Sequence, residues 1–308
     1  MNILNLSFLL NVETMEHEKL ICDLVEWLEL NLDKPLNIKK VAQRAGYSRW
    51  HLQRVFRKVT GQKLASYIRR RRLAKSAMEL RLTSQSVLDV ALKYCFDSQQ
   101  SFTRAFRHQF SVPPGKYRQA LEWDTRGIVP PIHRKEYIQP MVSYTMLNDF
   151  ILVGIKRKYS CILDDIVIKR QTMCSIFWHE FLSGIDKALS IPPLLYGIHE
   201  SHPNKNKENE QEVYYVTAIL PEHLFINIAG VNLFTVTGGN YVKFSYTGPV
   251  DELANFFISV YDICIPSLNI IRRPGVDVEL YYKNTEQDLN TRPSWICCEY
   301  YVPVFVQR

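Results

Sequence analysis

Trp50, Gln53 and Arg54 stand three and four positions apart in the run Ser48-Arg-Trp-His-Leu-Gln-Arg-Val-Phe-Arg57, a spacing that puts side chains on one helix face. An arginine can grip guanine O6 and N7 with two N–H groups, a glutamine can pair with adenine, and an indole offers apolar contact to a thymine methyl. The trio therefore predicts base reading in a major groove. The alternative is plain surface, with Trp50 folded into the core. Fifty residues on, Gln99, Gln100, Thr103 and Arg104 occupy the equivalent faces of a second run. There, phosphate contact alone is the alternative, since Gln, Thr and Arg all serve it.

Helices must carry these side chains. Leu20, Leu24 and Leu28 predict a first amphipathic helix over about Glu16 to Leu32. Asn37 can cap a second, which Gly46 ends, and Ser48 can cap a third with Leu52, Val55 and Phe56 inward. A long helix follows over about Lys63 to Leu80, containing four consecutive arginines, Arg69 to Arg72. Ser86 and Asp89 have capping-box spacing, and a further helix starts near Ser98. Leu52-Gln-Arg-Val-Phe-Arg57 aligns with Phe102-Thr-Arg-Ala-Phe-Arg107 at a constant offset, so the chain contains two similar helix-turn-helix units. Gly46 in the first turn corresponds to Cys95 in the second. A left-handed cysteine costs roughly 1 to 2 kcal/mol, so a different turn geometry is expected there.

Charge divides the chain. Lys34 to Gln119 holds 20 Lys and Arg against Glu79, Asp89 and Asp97, a surplus of 17 positive charges within a net charge of +7, so the remainder is acidic. A cationic module of that density attracts a polyanion and releases its counterions. The length of 308 residues suggests about two domains, and 46% hydrophobic with 22% charged residues excludes a mainly disordered or fibrous chain. No apolar run approaches the ~20 residues of a membrane span. Ile3 to Val12 lacks the basic start and cleavage site of a signal peptide, so residues 1–19 read as an N-terminal extension. Seven scattered cysteines without a C-x-x-C pair fit a reduced, cytoplasmic chain with no metal. A Gly-rich phosphate loop and G-x-S-x-G are both missing, and His179-Glu180 has Ser183 where a zinc-protease helix needs its second histidine. No catalytic residue, cofactor or metal ligand is therefore assigned.

Pro130, Pro131 and Pro140 among charged residues mark a linker over 121–140, after which the texture changes. Strands are expected at Phe150 to Ile155, Val213 to Leu220, Asn240 to Tyr246, Val276 to Tyr282 and Trp295 to Phe305, with helices at Cys174 to Leu189 and Val250 to Tyr261. The order strand, helix, strand, strand thus occurs twice, a doubled α+β module over 141–308. Ser201 to Glu212 is polar enough to read as an exposed loop.

Gly46-Tyr-Ser-Arg-Trp50-His-Leu-Gln-Arg54, Asp97-Ser-Gln-Gln-Ser-Phe-Thr-Arg104 and Pro113-Pro-Gly-Lys-Tyr117-Arg118 resemble the AraC/XylS family of bacterial transcription regulators, over about Leu20 to Gln119. Ile191-Pro-Pro-Leu-Leu-Tyr-Gly197, Glu210-Gln-Glu-Val-Tyr214 and Gly239-Asn-Tyr-Val-Lys-Phe-Ser-Tyr246 resemble its Rob subgroup, whose second domain is GyrI-like. Residues 1 to 15 fall outside the resemblance, and Met15 is a candidate start. The resemblance implies a multi-domain chain: an all-α double helix-turn-helix DNA-binding domain over 20–120, then an α+β GyrI-like effector domain. It implies DNA-facing roles for Trp50, Gln53, Arg54, Gln99, Gln100, Thr103 and Arg104. GyrI-like domains sense small molecules, often through an acidic residue in the groove between their halves; Glu279 and Glu299 match those strand positions. A carboxylate within an aromatic run is costly to bury unpaired, which points to a polar partner in the groove; the alternative is strand alternation that places either Glu in water. Phe177, Trp178 and Phe181 either line that groove or are plain core.

The expected protein is thus a cytoplasmic, nucleoid-associated activator that binds promoter DNA as a monomer, works with RNA polymerase and answers to a small amphipathic effector. Its rivals are an architectural DNA-binding protein and a GyrI-like hydrolase using Glu279 with a neighbouring tyrosine.

Overall fold

The computed structural model describes residues 3–132, 138–184, 192–223, 230–283 and 294–305, with side chains from Met15 onward. Helix α1 spans Ile3–Glu29, beginning well before the expected Glu16. It is followed by α2 (Ile38–Arg44), α3 (Arg49–Thr60), α4 (Leu64–Leu82), α5 (Val87–Lys93), α6 (Gln99–Phe110) and α7 (Pro114–Gln119). Ile21, Leu24, Val25 and Leu28 of α1 form one core with Val41, Leu52, Phe56, Leu64 and Tyr67. The arginine run is not uniformly a solvated face. Arg69 and Arg70 are exposed, but Arg71 is buried and bonds the Glu29 carboxylate at 2.7 Å, while Arg72 donates to the Leu32 and Lys34 carbonyls. Burial pushes the Glu29 carboxyl up, but Arg71 outweighs it and the group ends below its ordinary value.

The second helix-turn-helix turn corrects the expectation for Cys95, which adopts φ +59°, close to the +68° of Gly46. The same hydrogen bond closes both turns, from Tyr47 N–H to the Ala42 carbonyl and from Phe96 N–H to the Ala91 carbonyl, each 3.0 Å. This local pattern outweighs the left-handed strain. The Cys95 thiol also donates to the Asp33 carbonyl at 3.3 Å.

Contacts divide the chain into two units that interleave in sequence: 1–78, 86–116 and 127–137 form one, and 79–85, 117–126 and 138–308 the other. The second unit contains an eight-stranded sheet. Its strands are β2 (Met141–Leu147), β3 (Phe150–Cys161), β4 (Leu194–Pro203), β5 (Gln211–Ile219), β6 (Asn232–Val236), β7 (Gly239–Pro249), β9 (Asp277–Tyr282) and β10 (Trp295–Pro303). The spatial order is β2-β7-β10-β9-β4-β5-β3-β6. Strands β3, β4 and β5 with α8 (Ile166–Ser183) mirror β7, β9 and β10 with a helical run over 250–268 that includes α9 (Leu253–Ile258) and α10 (Ile265–Leu268). The doubled β-α-β-β module is thus present, and the halves meet where β4 pairs with β9.

Several local expectations change. Trp123–Asp124, inside the expected linker, is strand β1, paired with β8 (Ile271–Arg272). The guanidinium groups of Arg81 and Arg272 lie 5.7 and 5.3 Å from the Trp123 ring centre. The expected loop over Ser201 to Glu212 is shorter at both ends, 204–210, because β4 runs to Pro203 and β5 begins at Gln211, which is fully buried. Helix α8 starts at Ile166 rather than Cys174; residues 185–189 of that expected helix lie outside the described residues.

Candidate nucleic-acid interface and sensor core

Ser48 begins α3 in extended conformation, its hydroxyl accepting from His51 N–H at 3.2 Å. Ser98 does the same for α6 through a reciprocal capping box with Ser101. Each cap is worth on the order of 1 kcal/mol and fixes where the helix face begins. With the start fixed, Leu52, Val55 and Phe56 go inward on α3, and Phe102, Ala105, Phe106 and Phe110 on α6. The opposite face must then carry the polar set. Trp50 is 69% exposed, so it is not a core residue, and Gln53 and Arg54 are exposed with it. The Arg54 guanidinium lies 4.8 Å from the Trp50 ring centre, so each side chain restricts the other.

On α6, Gln99, Gln100 and Arg104 are exposed and Thr103 is half-buried. These four line one shallow depression, together with Arg107. Trp50, Gln53 and Arg54 line another with Arg57, Lys58 and Lys63. The structure thus brings the seven candidates into two depressions, one beside each capped helix, and apolar side chains such as Ile38, Leu64 and Ile68 share the lining of the Trp50 depression. Sequence reasoning did not single out Lys58, Lys63 or Arg107; their signal was the clustering of basic residues beside the recognition spacing.

In the second unit the two nominated carboxylates are not brought together. The register pairs Glu279 with Tyr300 and Glu299 with Leu280, so they project from opposite faces of the sheet. Glu299 bonds Lys243 at 2.7 Å and accepts from the Tyr282 and Tyr301 hydroxyls. Burial pushes this carboxyl up, but Lys243 and the hydroxyls outweigh it and hold it below its ordinary value.

Glu279 is 1% exposed, on the face covered by α8 and α9. It pairs with Arg170 of α8 and accepts from Tyr215 at 2.7 Å and Tyr281 at 2.6 Å. Burial opposes the charge on Arg170, but the Glu279 carboxylate outweighs it and raises that pKa well above its ordinary value. The Arg170 guanidinium also stacks on Phe257 at 3.7 Å and reaches Tyr300 at 5.4 Å. Gly197 stands opposite Glu279 on β4, and a Cβ there would overlap both the Tyr215 hydroxyl and the carboxylate. Trp178 donates to the Tyr215 hydroxyl at 3.0 Å, whereas Phe177 and Phe181 are buried in the core. Two residues before Glu279, Asp277 pairs with Arg272 and accepts from Tyr300 at 2.7 Å and Tyr261 at 3.1 Å. A tyrosine beside Glu279 was expected, but Arg170, Asp277, Arg272 and the more distant Tyr215 and Tyr261 were missed, because their shared burial is a tertiary property.

Among the described residues no helix is long and apolar enough to cross a membrane. A helix-turn-helix domain model matches residues 41–120, and the GyrI-like small molecule binding domain matches 140–304. Over 290 residues the chain is 44% identical to the transcriptional regulator Rob of Salmonella typhimurium strain LT2, covering 94% of this chain and 99% of that protein. It is 43% identical to the right origin-binding protein of Escherichia coli K12 with the same coverage. The regulatory protein SoxS of Escherichia coli K12 is 50% identical over 107 residues, 35% of this chain and 100% of that one. Capped twin helices with polar outer faces, a doubled α+β module and near full-length identity lead to one assignment: the chain belongs to the AraC/XylS family of transcription regulators, as a Rob-like member with a GyrI-like domain.

Proposed function

We propose that this protein activates transcription by binding promoter DNA as a monomer, with Trp50, Gln53 and Arg54 reading one site and Gln99, Gln100, Thr103 and Arg104 a second. The observation that carries this reading is the exposed Trp50 beside Arg54 on a capped helix, since an indole 69% in water is poor surface unless a partner covers it. The DNA-binding domain is assigned to 20–120, a linker to 121–140 and the effector domain to 141–308. The chain acts in the cytoplasm, on nucleoid DNA, and engages RNA polymerase there. A small amphipathic effector acts through the second domain, with either Glu279 or Glu299, which lie on opposite faces of the sheet, as its polar contact.

The test is a titration of the full chain, at moderate salt, with promoter duplexes, a duplex of the origin type named for the Escherichia coli relative, and scrambled controls. A regulator prefers its site by 10³-fold or more, and Arg54→Ala removes about 1 to 3 kcal/mol of that preference at one base position. Equal affinity for all duplexes, with Arg54→Ala weakening each alike, is the behaviour of an architectural binder and overturns the proposal. Hydrolysis by Glu279 is the weaker alternative, because its carboxylate already bonds Arg170, Tyr215 and Tyr281.

A further inference from the structure

We infer that His17 of α1 is a positioning residue for base reading: through Tyr47 and His51 it holds the first turn of α3, and with it Trp50, in one place. The inference rests on the proposal that Trp50 reads bases, and adds to it a side chain from outside residues 20–120.

The first turn of α3 has little else to hold it. Leu52, Val55 and Phe56 anchor the helix in the core from Leu52 onward. Before Leu52, Arg49 and Trp50 are exposed and His51 is half-buried, so His51 is the one side chain of these three that the protein covers. Its ring meets Tyr47 edge to face with centres 4.5 Å apart, and meets His17 at 5.8 Å. His17 and Tyr47 complete the triangle at 5.9 Å. The base-reading turn is therefore supported by three mutually touching rings.

His17 closes this cluster from a separate element. It stands four residues before Ile21, so it extends by one turn the face of α1 on which Ile21, Leu24, Val25 and Leu28 enter the core. Beyond the core, that face meets the turn between α2 and α3 instead. There, His17 Nδ1 and the Tyr47 hydroxyl share a hydrogen bond of 2.7 Å. Tyr47 is also the residue whose N–H closes the turn on the Ala42 carbonyl, and its neighbour Ser48 caps α3 by accepting from His51 N–H. One bond between side chains thus ties α1 to the residues that set where the reading helix starts.

Such a tie acts on recognition more than on folding. A reader that is loosely held must be ordered on binding, which costs affinity at the matched site, whereas a preset reader is spared that cost. Phosphate contacts from long, flexible side chains tolerate a small shift that base contacts do not. Loss of the tie is therefore expected to lower sequence preference and leave general affinity in place.

The experiment measures the affinity of the full chain for promoter and scrambled duplexes at one salt concentration, with urea midpoints taken on the same variants. Tyr47→Phe deletes one oxygen and His17→Ala deletes the ring. Each should lower the preference for the promoter duplex about 3- to 10-fold, the worth of one hydrogen bond, and change affinity for the scrambled duplex by less than about twofold. His17→Asn keeps an oxygen near the place of Nδ1 and should recover most of the preference. The double variant His17→Ala/Tyr47→Phe should lose about as much as the larger single loss, because both changes break one contact. A merely structural His17 gives a different pattern, in which both duplexes weaken alike and in step with the urea midpoint; that result overturns the inference. Unchanged preference in Tyr47→Phe, or additive losses in the double variant, overturns it as well. Should His17→Ala fail to fold, Tyr47→Phe decides alone. Trp50→Ala reads the underlying assignment separately: a loss in His17→Ala with none in Trp50→Ala keeps His17 as the support of this turn and removes Trp50 as its reader.

Discussion

His199 is 7% exposed, its Nε2 has no hydrogen-bond partner among the described residues, and it stands opposite Asp277 on the neighbouring strand. Burial, reinforced by the guanidinium groups of Arg170 and Arg272, drives its pKa well below the ordinary histidine value. The folded chain therefore keeps this ring neutral where the unfolded chain protonates it. Below about pH 6.5 the unfolded state binds one more proton than the folded state, so stability falls as pH falls, by up to ~1.4 kcal/mol per pH unit. Urea denaturation of the second domain at pH 7.5, 6.0 and 5.0 should show this slope, and His199→Gln should flatten it; an unchanged slope in the variant excludes His199 as the cause. Residues of this kind were hidden from the sequence. Lys169-Arg170-Gln171 lies before the helix expected from Cys174 and carries no sign of burial, and only the tertiary structure puts Arg170 against Glu279. Trp50 and Arg54 were legible for the opposite reason, because helical periodicity alone turns them outward once Leu52, Val55 and Phe56 go in.

Two turns with one geometry but different residues separate backbone strain from packing at the scale of elements. Nothing lies within 4 Å of a Cβ built on Gly46, so Gly46→Ala meets no clash and loses stability only through its left-handed backbone. That loss should be about 1 to 2 kcal/mol by urea denaturation of the full chain, read on the transition of the first unit. A neutral result would mean that the turn rearranges, and the Tyr47 to Ala42 hydrogen bond would then be lost from amide exchange protection. The duplication of the helices was legible from its constant offset, but not the geometry of Cys95, since an isolated strain cost cannot be weighed against a turn that neighbouring residues already dictate. Strands divide in the same way. Those with β-branched or aromatic runs were legible, while edge strand β2 exposes Tyr144 and Met146 and half-buries Ser143 and Thr145, so its polarity runs against its burial and hides the inward face. Strand β4 is central, yet Gly197 and His199 interrupt its apolar pattern because they serve the polar network around Glu279 and Asp277.

Over the whole molecule, the surplus of 17 positive charges within Lys34 to Gln119 makes two separable contributions to DNA affinity. Phosphate contacts release counterions and respond to salt, whereas base contacts discriminate sequence and respond to salt far less. If six to ten phosphates are neutralised, affinity should fall about 10³- to 10⁵-fold between 50 and 200 mM salt for promoter and scrambled duplexes alike. The ratio between the two duplexes should stay nearly constant over that range. Lys63, at the edge of the Trp50 patch, is a phosphate candidate, so Lys63→Ala should lower the slope of log affinity against log salt by roughly 1 for every duplex. Arg54→Ala should shrink the ratio at one base position, for its contact is to base edges. Titrations at four salt concentrations, with the two variants and both duplexes, resolve these terms. Should Arg54→Ala and Lys63→Ala change slope and ratio identically, the division of labour between the indole-bearing helix face and its basic rim would be wrong, and charge density alone would set where this protein binds.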